Sequence, residues 1–483
     1  MSDLMEFRRY YFGLGALALG IMLLYLIIIT PSVGLYVQVA SALADLFVCG
    51  IIIQRTSGLK GGYGLYLLGG RRGIKFINGL AKDKYHIWDA ISLWGLSMGF
   101  GLSTYLLMRG KIDKRILAIG IISIIAIDLL LISYIDYGLQ FLNIPRLGLS
   151  NYTPQAIAIT PLLLLTLVIA SLFGFSGYAL FAIFINSASI LYSVSLLISN
   201  PTPAGVAASG IANQIPGVAP IIPGITLPLA AGVISLAIIL IIHEFSHGVL
   251  ARKAKVKIKQ IGILAFGFIP VGGFVEPDEK QVSKLKPIPQ TKIFSAGISA
   301  NFIAMIIFGI LTFLVATYVV PGAYHYGLSV AGTTEGYPAY GVISVGSIVT
   351  SWNGHQVSNI TQLDNAASTD TANAIVTVTT NKGSYAFKAL PDPSDPSRGL
   401  VGVSMEYVPI INTPYGKIVR FILAVFSISA LLNFLIAVVN LLPVPGFDGW
   451  RIYRANIKNK TAVNVLGALI IILILLNALP WLF

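Results

Sequence analysis

Apolar residues occur along this chain in runs much longer than the strands or core helices of a soluble domain. A helix that crosses the hydrocarbon core of a bilayer needs about 20 mainly apolar residues. The first run is too long for a cleaved signal peptide and predicts a permanent span. Membrane-spanning helices are predicted at ten runs: 12–30, 35–53, 87–108, 116–138, 156–174, 176–198, 228–251, 291–320, 417–442 and 461–482.

Residues 325–407 break this pattern with short β-like segments separated by turn residues. The predicted strands are Val342–Val345, Ser347–Trp352 and Ala374–Thr380, with turns at Asn353-Gly354 and Asn381-Lys382-Gly383. The segment contains six acids and three bases, a net charge of −3. We therefore predict a small β or α+β domain inserted between two spans.

The composition supports a membrane protein. Only 11% of the 483 residues are charged, against about 25% in a soluble domain, and mean hydropathy is +0.82. These values exclude a cytosolic enzyme and a disordered protein, and the single cysteine, Cys49, excludes a disulfide scaffold. The fold class is thus predicted as a polytopic α-helical membrane protein with about ten apolar spans and one small extramembrane domain.

The basic residues are read as markers of cytoplasmic loops rather than of nucleic-acid binding, because the net charge of +13 is spread over loops without interleaved aromatics. Arg252, Lys253, Lys255, Lys257 and Lys259 follow the run 228–251, and Arg451, Arg454, Lys458 and Lys460 follow 417–442. By the positive-inside rule both sites are cytoplasmic, so the insert 325–407 and the C-terminus are expected to be extracytoplasmic.

The first half of the chain gives no consistent orientation. Seven bases lie in 55–84 and four in 109–115, on opposite sides of the run 87–108 if that run spans. An amphipathic or re-entrant segment around Gly61–Gly79 is one explanation. The predicted domains are an N-terminal multi-span region of unknown role, core spans, the insert and C-terminal core spans, at 1–200, 201–324, 325–407 and 408–483.

Three ionisable residues lie close together in the run 228–251, where charge is expensive. His243 and His247 are one helical turn apart, so both imidazoles project from one face and can share a metal ion. Glu244 lies beside them, where it can act as general base toward a water molecule. Because no Lys or Arg lies within the run to pair Glu244, a metal site is favoured over a pair of hydrogen-bonded core histidines.

A catalytic zinc site normally has three protein ligands, and the other histidines are poor candidates for the third. His86 lies in a basic segment, and His325 and His355 belong to the insert. The candidates that remain for the third ligand are carboxylates. Asp45 and Asp128 lie in the early runs, and Asp448 follows the run 417–442.

Asp448 is favoured as the third ligand because the segment before it breaks a helix. Pro443, Pro445 and Gly446 separate it from Asn440, and irregular backbone at membrane depth is tolerated only where it is buried in protein or lines a wet cavity. The break lets both side chains approach one metal ion. We predict that Asp448 is the third ligand and that Asn440 donates a hydrogen bond to the developing oxyanion.

These motifs resemble those of the site-2 protease family of intramembrane zinc metalloproteases. That family pairs His-Glu-x-x-His on one span with Asn-x-x-Pro and Asp-Gly on a later one. The matching residues are His243, Glu244, His247, Asn440, Pro443, Asp448 and Gly449. Gly272–Glu276 is similar to the family's membrane-associated β-hairpin, and Ala296–Asn301 to its Gly-Pro-x-x-Asn stretch, although Ile298 replaces the proline and Trp450 replaces a common second glycine.

The resemblance implies a membrane-embedded metalloendopeptidase with zinc on His243, His247 and Asp448, acting on transmembrane segments of membrane-protein substrates in regulated intramembrane proteolysis. Its active site is expected toward the cytoplasmic side of a multi-pass cell-membrane protein. The insert resembles the PDZ domains of the family and is expected to bind a peptide segment through a loop near Glu335–Tyr340, although Ser347 replaces the usual aspartate.

Two other functions stay open on the sequence. A metal-containing transporter or channel fits the ten apolar runs and the intramembrane acids, but it gives no reason for Glu244 beside the histidines. A catalytically silent scaffold that binds partners through the insert fits less well, because the His-Glu-x-x-His motif is intact.

Overall fold

The fold is taken from a computed structural model of the chain. The described residues are 2–29, 35–71, 73–82, 86–127, 161–199, 217–218, 221–224, 226–323, 325–410 and 414–482. They form two compact units, one made of Met1–Thr312 with Ala424–Phe483 and the other of Phe313–Leu423. Each unit is described by itself.

The first unit is mainly helical, as the apolar runs predict. Its helices are α1 Ser2–Ile29, α2 Leu35–Ser57, α3 Ile74–Leu80, α4 Ile87–Phe100, α5 Ser103–Leu107, α6 Lys114–Ala126, α7 Pro161–Ser199, α8 Leu229–Lys253, α9 Glu279–Lys284, α10 Pro287–Leu314 and α13 Pro414–Asn440. Helix α10 ends in the second unit and α13 begins there, and the second unit contains α11 (Val320–Ala323) and α12 (Ile360–Ala367). After α13 come α14 Asp448–Asn456, α15 Lys460–Asn477 and a short 3₁₀ turn at Leu479–Leu482.

Six helices of the described chain are long and apolar enough to cross a membrane, fewer than the ten predicted. They are Ala40–Ser57, Leu167–Leu196, Leu229–Lys253, Pro287–Ala323, Pro414–Asn440 and Lys460–Asn477, with a shorter apolar helix at Phe12–Ile27. The run 87–108 divides into α4 and α5, and the runs 156–174 and 176–198 meet in the kinked helix α7. The end of the run 116–138, with Asp128, lies outside the described residues.

Glycines at the two interruptions explain why these runs are not simple spans. Gly101 ends α4 with φ +55°, and Gly174 interrupts α7 with φ +64°. A Cβ on Gly101 would lie 2.4 Å from the carbonyl oxygen of Ser171, and one on Gly174 would lie 2.4 Å from the backbone of Gly99. The amide of Leu102 donates to the same Ser171 oxygen at 2.9 Å. The two interruptions therefore cross in direct backbone contact, which only glycine permits.

A four-stranded antiparallel sheet lies within the same unit, in the order β1-β2-β3-β4. Its strands are β1 Gly61–Gly62, β2 Leu65–Gly70, β3 Ile258–Phe266 and β4 Ile269–Pro277. The hairpin expected at Gly272–Glu276 is thus present, and the segment around Gly61–Gly79 contains a second hairpin and α3. Since β2 pairs with β3, the early chain joins the sheet that follows α8, and β4 is left as an edge strand.

The early helices also share a core with the helices that carry the motifs. Leu96 and Phe100 of α4 are buried in one cluster with Phe302 of α10 and Leu441, which directly follows α13. Phe175 of α7 lies edge-on to Phe434 of α13, with ring centroids 5.2 Å apart. Helix α13 is the most enclosed of the candidate spans. Helices α4 and α7 therefore belong to the packed body around α10 and α13.

The second unit contains a six-stranded sheet, in agreement with the predicted small β-rich domain. The strand order is β12-β5-β6-β8-β9, with β7 paired to β6, and a separate pair is formed by β10 and β11. Its elements are a π-helical turn Val315–Val319, α11 Val320–Ala323, β5 His325–Thr333, β6 Ile348–Trp352, β7 His355–Gln356, α12 Ile360–Ala367, β8 Ile375–Thr380, β9 Gly383–Lys388, β10 Leu390–Pro391, β11 Gly399–Leu400 and β12 Val403–Ile410.

The turn predicted at Asn353-Gly354 is present, with φ +49° and +80° at its two residues. The strand predicted at Val342–Val345 is wrong, because this segment forms turns in which Ile343 is buried in the core of the unit. Two long strands at the ends of the unit, β5 and β12, were not predicted. They pair with each other over their whole length, which closes the insert at its two chain ends.

Candidate metal centre

Helix α8 brings the two histidines of the motif onto one face, as their spacing predicts. The rings of His243 and His247 lie with their Nε2 atoms 3.1 Å apart. Their side chains are only 10% and 12% exposed. The helix ends with Arg252 and Lys253 in its last turn, so the histidines lie one to three turns before a basic helix terminus.

The chain break after α13 brings Asp448 to the same place. Helix α13 ends at Asn440, a turn follows through Gly446 with φ +100°, and α14 begins at Asp448. The next residue, Gly449, packs so tightly that a Cβ there would lie 2.2 Å from the carbonyl oxygen of Leu441. As a result, Oδ2 of Asp448 lies 3.2 Å from Nε2 of His243 and 3.0 Å from Nε2 of His247.

The three side chains fit a metal ion. Their ligand atoms form a nearly equilateral triangle with edges of 3.1, 3.2 and 3.0 Å. Tetrahedral zinc with bonds of about 2.0–2.1 Å places its ligand atoms about 3.3 Å apart. Oδ2 of Asp448 is buried and accepts no hydrogen bond of normal geometry, although two ring nitrogens face it. A buried carboxylate oxygen and two imidazole nitrogens that point at one spot are the donor set of a divalent cation.

Helix α10 fixes which nitrogen of each ring faces the triangle. Nδ1 of His247 donates to the backbone carbonyl of Ile293 at 2.7 Å, which leaves the Nε2 lone pair free. Nδ2 of Asn301 lies 3.1 Å from Nδ1 of His243, and Oδ1 of Asn301 is buried with no hydrogen-bond partner. Exchanging the amide oxygen and nitrogen of Asn301 would let Oδ1 accept the Nδ1 proton of His243, and Nε2 of His243 would then carry its lone pair toward the triangle.

Gly297 provides the wall of the site on the side of α10. A Cβ on this residue would lie 2.5 Å from Nε2 of His247 and 2.6 Å from Nε2 of His243. Those distances are close to a metal–nitrogen bond length of about 2.0–2.1 Å, so a methyl group here would take the space of the ion. The absence of a side chain at residue 297 is therefore part of the site.

Glu244 is not one of the three converging residues. Its Oε2 accepts a hydrogen bond of 3.1 Å from the backbone amide of Val275, on the edge strand β4. This contact places the carboxylate between the histidine-bearing helix and the free edge of the sheet. One oxygen is thereby held in place, and the second stays available for proton transfer.

The other predicted participants make contacts of their own outside the triangle. Asn440 is the last residue of α13, and its Nδ2 donates to the carbonyl of Ile436 on its own helix, at 3.0 Å. Its role toward an oxyanion stays a prediction. Asp45 lies in α2, where Cys49 contacts it at 3.7 Å.

Three contributors from α10 were not predicted as site residues. Asn301 has a signal in the sequence, because it is an amide within an apolar run, where polar groups are costly. The carbonyl of Ile293 has none, since any residue supplies a backbone oxygen. The sequence shows that residue 297 is a glycine, but only the folded structure shows that this residue packs against two imidazoles.

Comparisons with known proteins relate this chain to a peptidase family and to an archaeal protein. A sequence model described as Peptidase family M50 matches residues 231–477, just over half of the 483-residue chain. The chain is also 28% identical over 232 residues to an uncharacterized protein, MJ0971, of Methanocaldococcus jannaschii. That alignment covers 48% of this chain and 58% of the relative, so the chain spans less than two thirds of the length of the relative. His243, Glu244, His247, Asn440 and Asp448 all fall within the family match.

Proposed function

The chain belongs to peptidase family M50, and on that premise we propose that it is a zinc metalloendopeptidase that hydrolyses peptide bonds within or near transmembrane segments of membrane proteins. The observation that supports this most strongly is the convergence of His243, His247 and Asp448, with Glu244 beside them, within an apolar helical body. Such a convergence needs three costly polar groups at membrane depth, which a purely structural role does not require.

His243, His247 and Asp448 would hold the zinc ion through Nε2, Nε2 and Oδ2. The ion supplies a Lewis acid that polarises the scissile carbonyl and makes water more acidic. Glu244 takes a proton from the attacking water at its free carboxylate oxygen and passes it to the nitrogen of the leaving amine. Asn440 turns its Nδ2 from Ile436 to the developing oxyanion.

The edge strand β4 is the proposed docking site for the substrate backbone. A transmembrane helix hides its carbonyls in its own hydrogen bonds, so the segment must unwind before hydrolysis. Because the amide of Val275 points away from β3 and toward Glu244, the amide and carbonyl of Gly273, two residues earlier, point the same way. A substrate strand added at Gly273 would replace its lost helical hydrogen bonds beside the general base.

The basic loops suggest how the enzyme is oriented. Five bases in and directly after the last turn of α8, and four from Arg451 to Lys460, favour a metal centre toward the cytoplasmic face of a multi-pass membrane protein. The insert 325–407 is then extracytoplasmic, and we assign it a PDZ-like role of binding a peptide segment of a substrate or regulator. This arrangement fits a protease in regulated intramembrane proteolysis.

The general base gives the first test. We predict that Glu244→Gln lowers cleavage of a single-span reporter in liposomes by about 10²–10⁴-fold, because the amide cannot accept the proton. Zinc content should stay at about one ion per chain, since Glu244 is not a ligand in this proposal. Glu279→Gln is the matched control, because Glu279 is an exposed acid in the first turn of α9, and this variant should cleave the reporter as the wild type does. Undiminished cleavage by Glu244→Gln would falsify the assignment.

A further inference from the structure

A single carboxylate in the early part of the chain ties together the two helices that build the metal centre. Asp89, in the first turn of α4, lies 3.0 Å from Nζ of Lys253 and accepts a hydrogen bond of 2.9 Å from Nζ of Lys292. Lys253 is the last residue of α8, and Lys292 lies in the second turn of α10. None of the three side chains is more than 25% exposed, so the ion pairs are only partly screened by solvent.

The same face of α4 is fixed against α10 by short-range contacts. Oγ of Ser92 donates to the carbonyl of Lys292 at 3.1 Å, and Oγ of Ser299 donates to the carbonyl of Ser92 at 3.2 Å. Gly95 allows this closeness, because a Cβ there would lie 2.2 Å from Oγ of Ser299. Asp89 therefore acts from a helix whose position on α10 is well determined.

The segment of α10 that contacts α4 also contacts the two histidines of α8. Ile293, next to Lys292, supplies the carbonyl that binds Nδ1 of His247 at 2.7 Å. Gly297, one turn further on, faces the Nε2 atoms of both histidines. The positions of His243 and His247 relative to α10 thus depend on how α8 and α10 are held together, and Asp89 forms an ion pair with one lysine of each helix.

We infer that Asp89 is a positioning residue for the metal centre, which sets the spacing of α8 and α10 through Lys253 and Lys292. The inference rests on the proposed metal site. Asp89 lies outside the segment 231–477 that the family model matches. Without the carboxylate, two ammonium groups would face each other across the helices, and their repulsion would separate the ring nitrogens from Asp448.

The test measures metal binding rather than activity. The full chain in nanodiscs is titrated with zinc against a chelator, and its cobalt(II) form is examined by visible absorption. We expect Asp89→Asn to weaken zinc binding by about tenfold, at the lower end of effects from residues that orient metal ligands, and to shift the cobalt bands. Asp89→Glu should recover most of the affinity, because it restores the charge.

Two further variants make the experiment decisive. Asp113→Asn is the matched control, because Asp113 only caps α6 through the amide of Arg115, and asparagine is an equally good cap. Lys292→Gln removes one ion pair and should weaken zinc binding by about threefold if the bridge matters. Wild-type affinity and spectrum in both Asp89→Asn and Lys292→Gln would overturn the inference, and if Asp89→Asn does not fold, Lys292→Gln alone decides. A wild-type protein that binds no zinc would instead overturn the proposed function.

Discussion

At the scale of single residues, the sequence marks the three candidate metal ligands but not the groups of α10 that contact them. The spacing of His243 and His247 predicts a shared face on any helix, and the structure brings their Nε2 atoms to 3.1 Å. Asp448 could be predicted only because two prolines and a glycine stand before it and break the helix. Asn301 and the carbonyl of Ile293 could not be assigned, because their roles arise when α10 packs against α8.

Gly297 gives a prediction at this scale. We expect Gly297→Ala to weaken zinc binding by about 100-fold, since its methyl group would lie within 2.6 Å of both Nε2 atoms, where the ion belongs. The measurement is zinc affinity by chelator competition, together with the melting temperature of the metal-free protein.

Gly322→Ala is the control. Gly322 and Gly297 belong to the same candidate span, Pro287–Ala323, and a Cβ on Gly322 would have no atom within 4 Å. The metal-free Gly322→Ala protein should melt like the wild type, whereas metal-free Gly297→Ala should melt at a lower temperature, because its methyl group would crowd the two imidazoles with or without the ion. Zinc affinity of Gly297→Ala equal to that of Gly322→Ala would show that the ion does not lie against α10.

At the scale of elements, hydropathy predicted the presence of helices better than their continuity. The run 87–108 is long enough for one span, yet the backbone contact of Gly101 with Ser171 ends α4 early. The hairpin β1–β2 was not predicted, because two short glycine-rich strands give no pattern until β3 lies beside them. In the second unit, β5 and β12 were missed for the same reason, since their pairing joins residues far apart in sequence.

The edge strand β4 gives a prediction for this scale. Gly273→Pro removes an amide that points toward the proposed substrate but leaves the ladder to β3, and proline is tolerated on strand edges. We expect kcat/KM for a transmembrane reporter to fall about tenfold, the value of one strand hydrogen bond.

Gly273→Ala keeps the amide and is the matched control, because its Cβ would make only ordinary contacts, at 3.6 Å from Leu240 and 3.8 Å from Glu244. Equal kcat/KM for the transmembrane reporter would rule out strand addition at Gly273.

At the scale of the whole molecule, the family membership confirms the resemblance that the motifs gave, and the structure adds what lies around them. The helices before residue 200 share one compact unit with α8, α10 and α13. No periodicity in the sequence could have revealed this, because membrane helices are apolar on both their lipid-facing and their protein-facing sides. The early helices are thus part of the body that holds the metal centre, and Asp89 is the residue through which we expect them to influence it.

The measurement that tests the central claim most directly is a map of the bond that the protein cuts. Wild-type protein is placed in liposomes with a single-span reporter, treated with a chelator, and resupplied with zinc, and the fragments are identified by mass spectrometry. We predict that cleavage within or next to the apolar segment stops with the chelator and returns with zinc, because an ion bound by His243, His247 and Asp448 would exchange with a chelator in excess. An intact reporter with the zinc-loaded protein, above all if metal ions cross the same liposomes, would contradict the proteolytic account and favour a transporter.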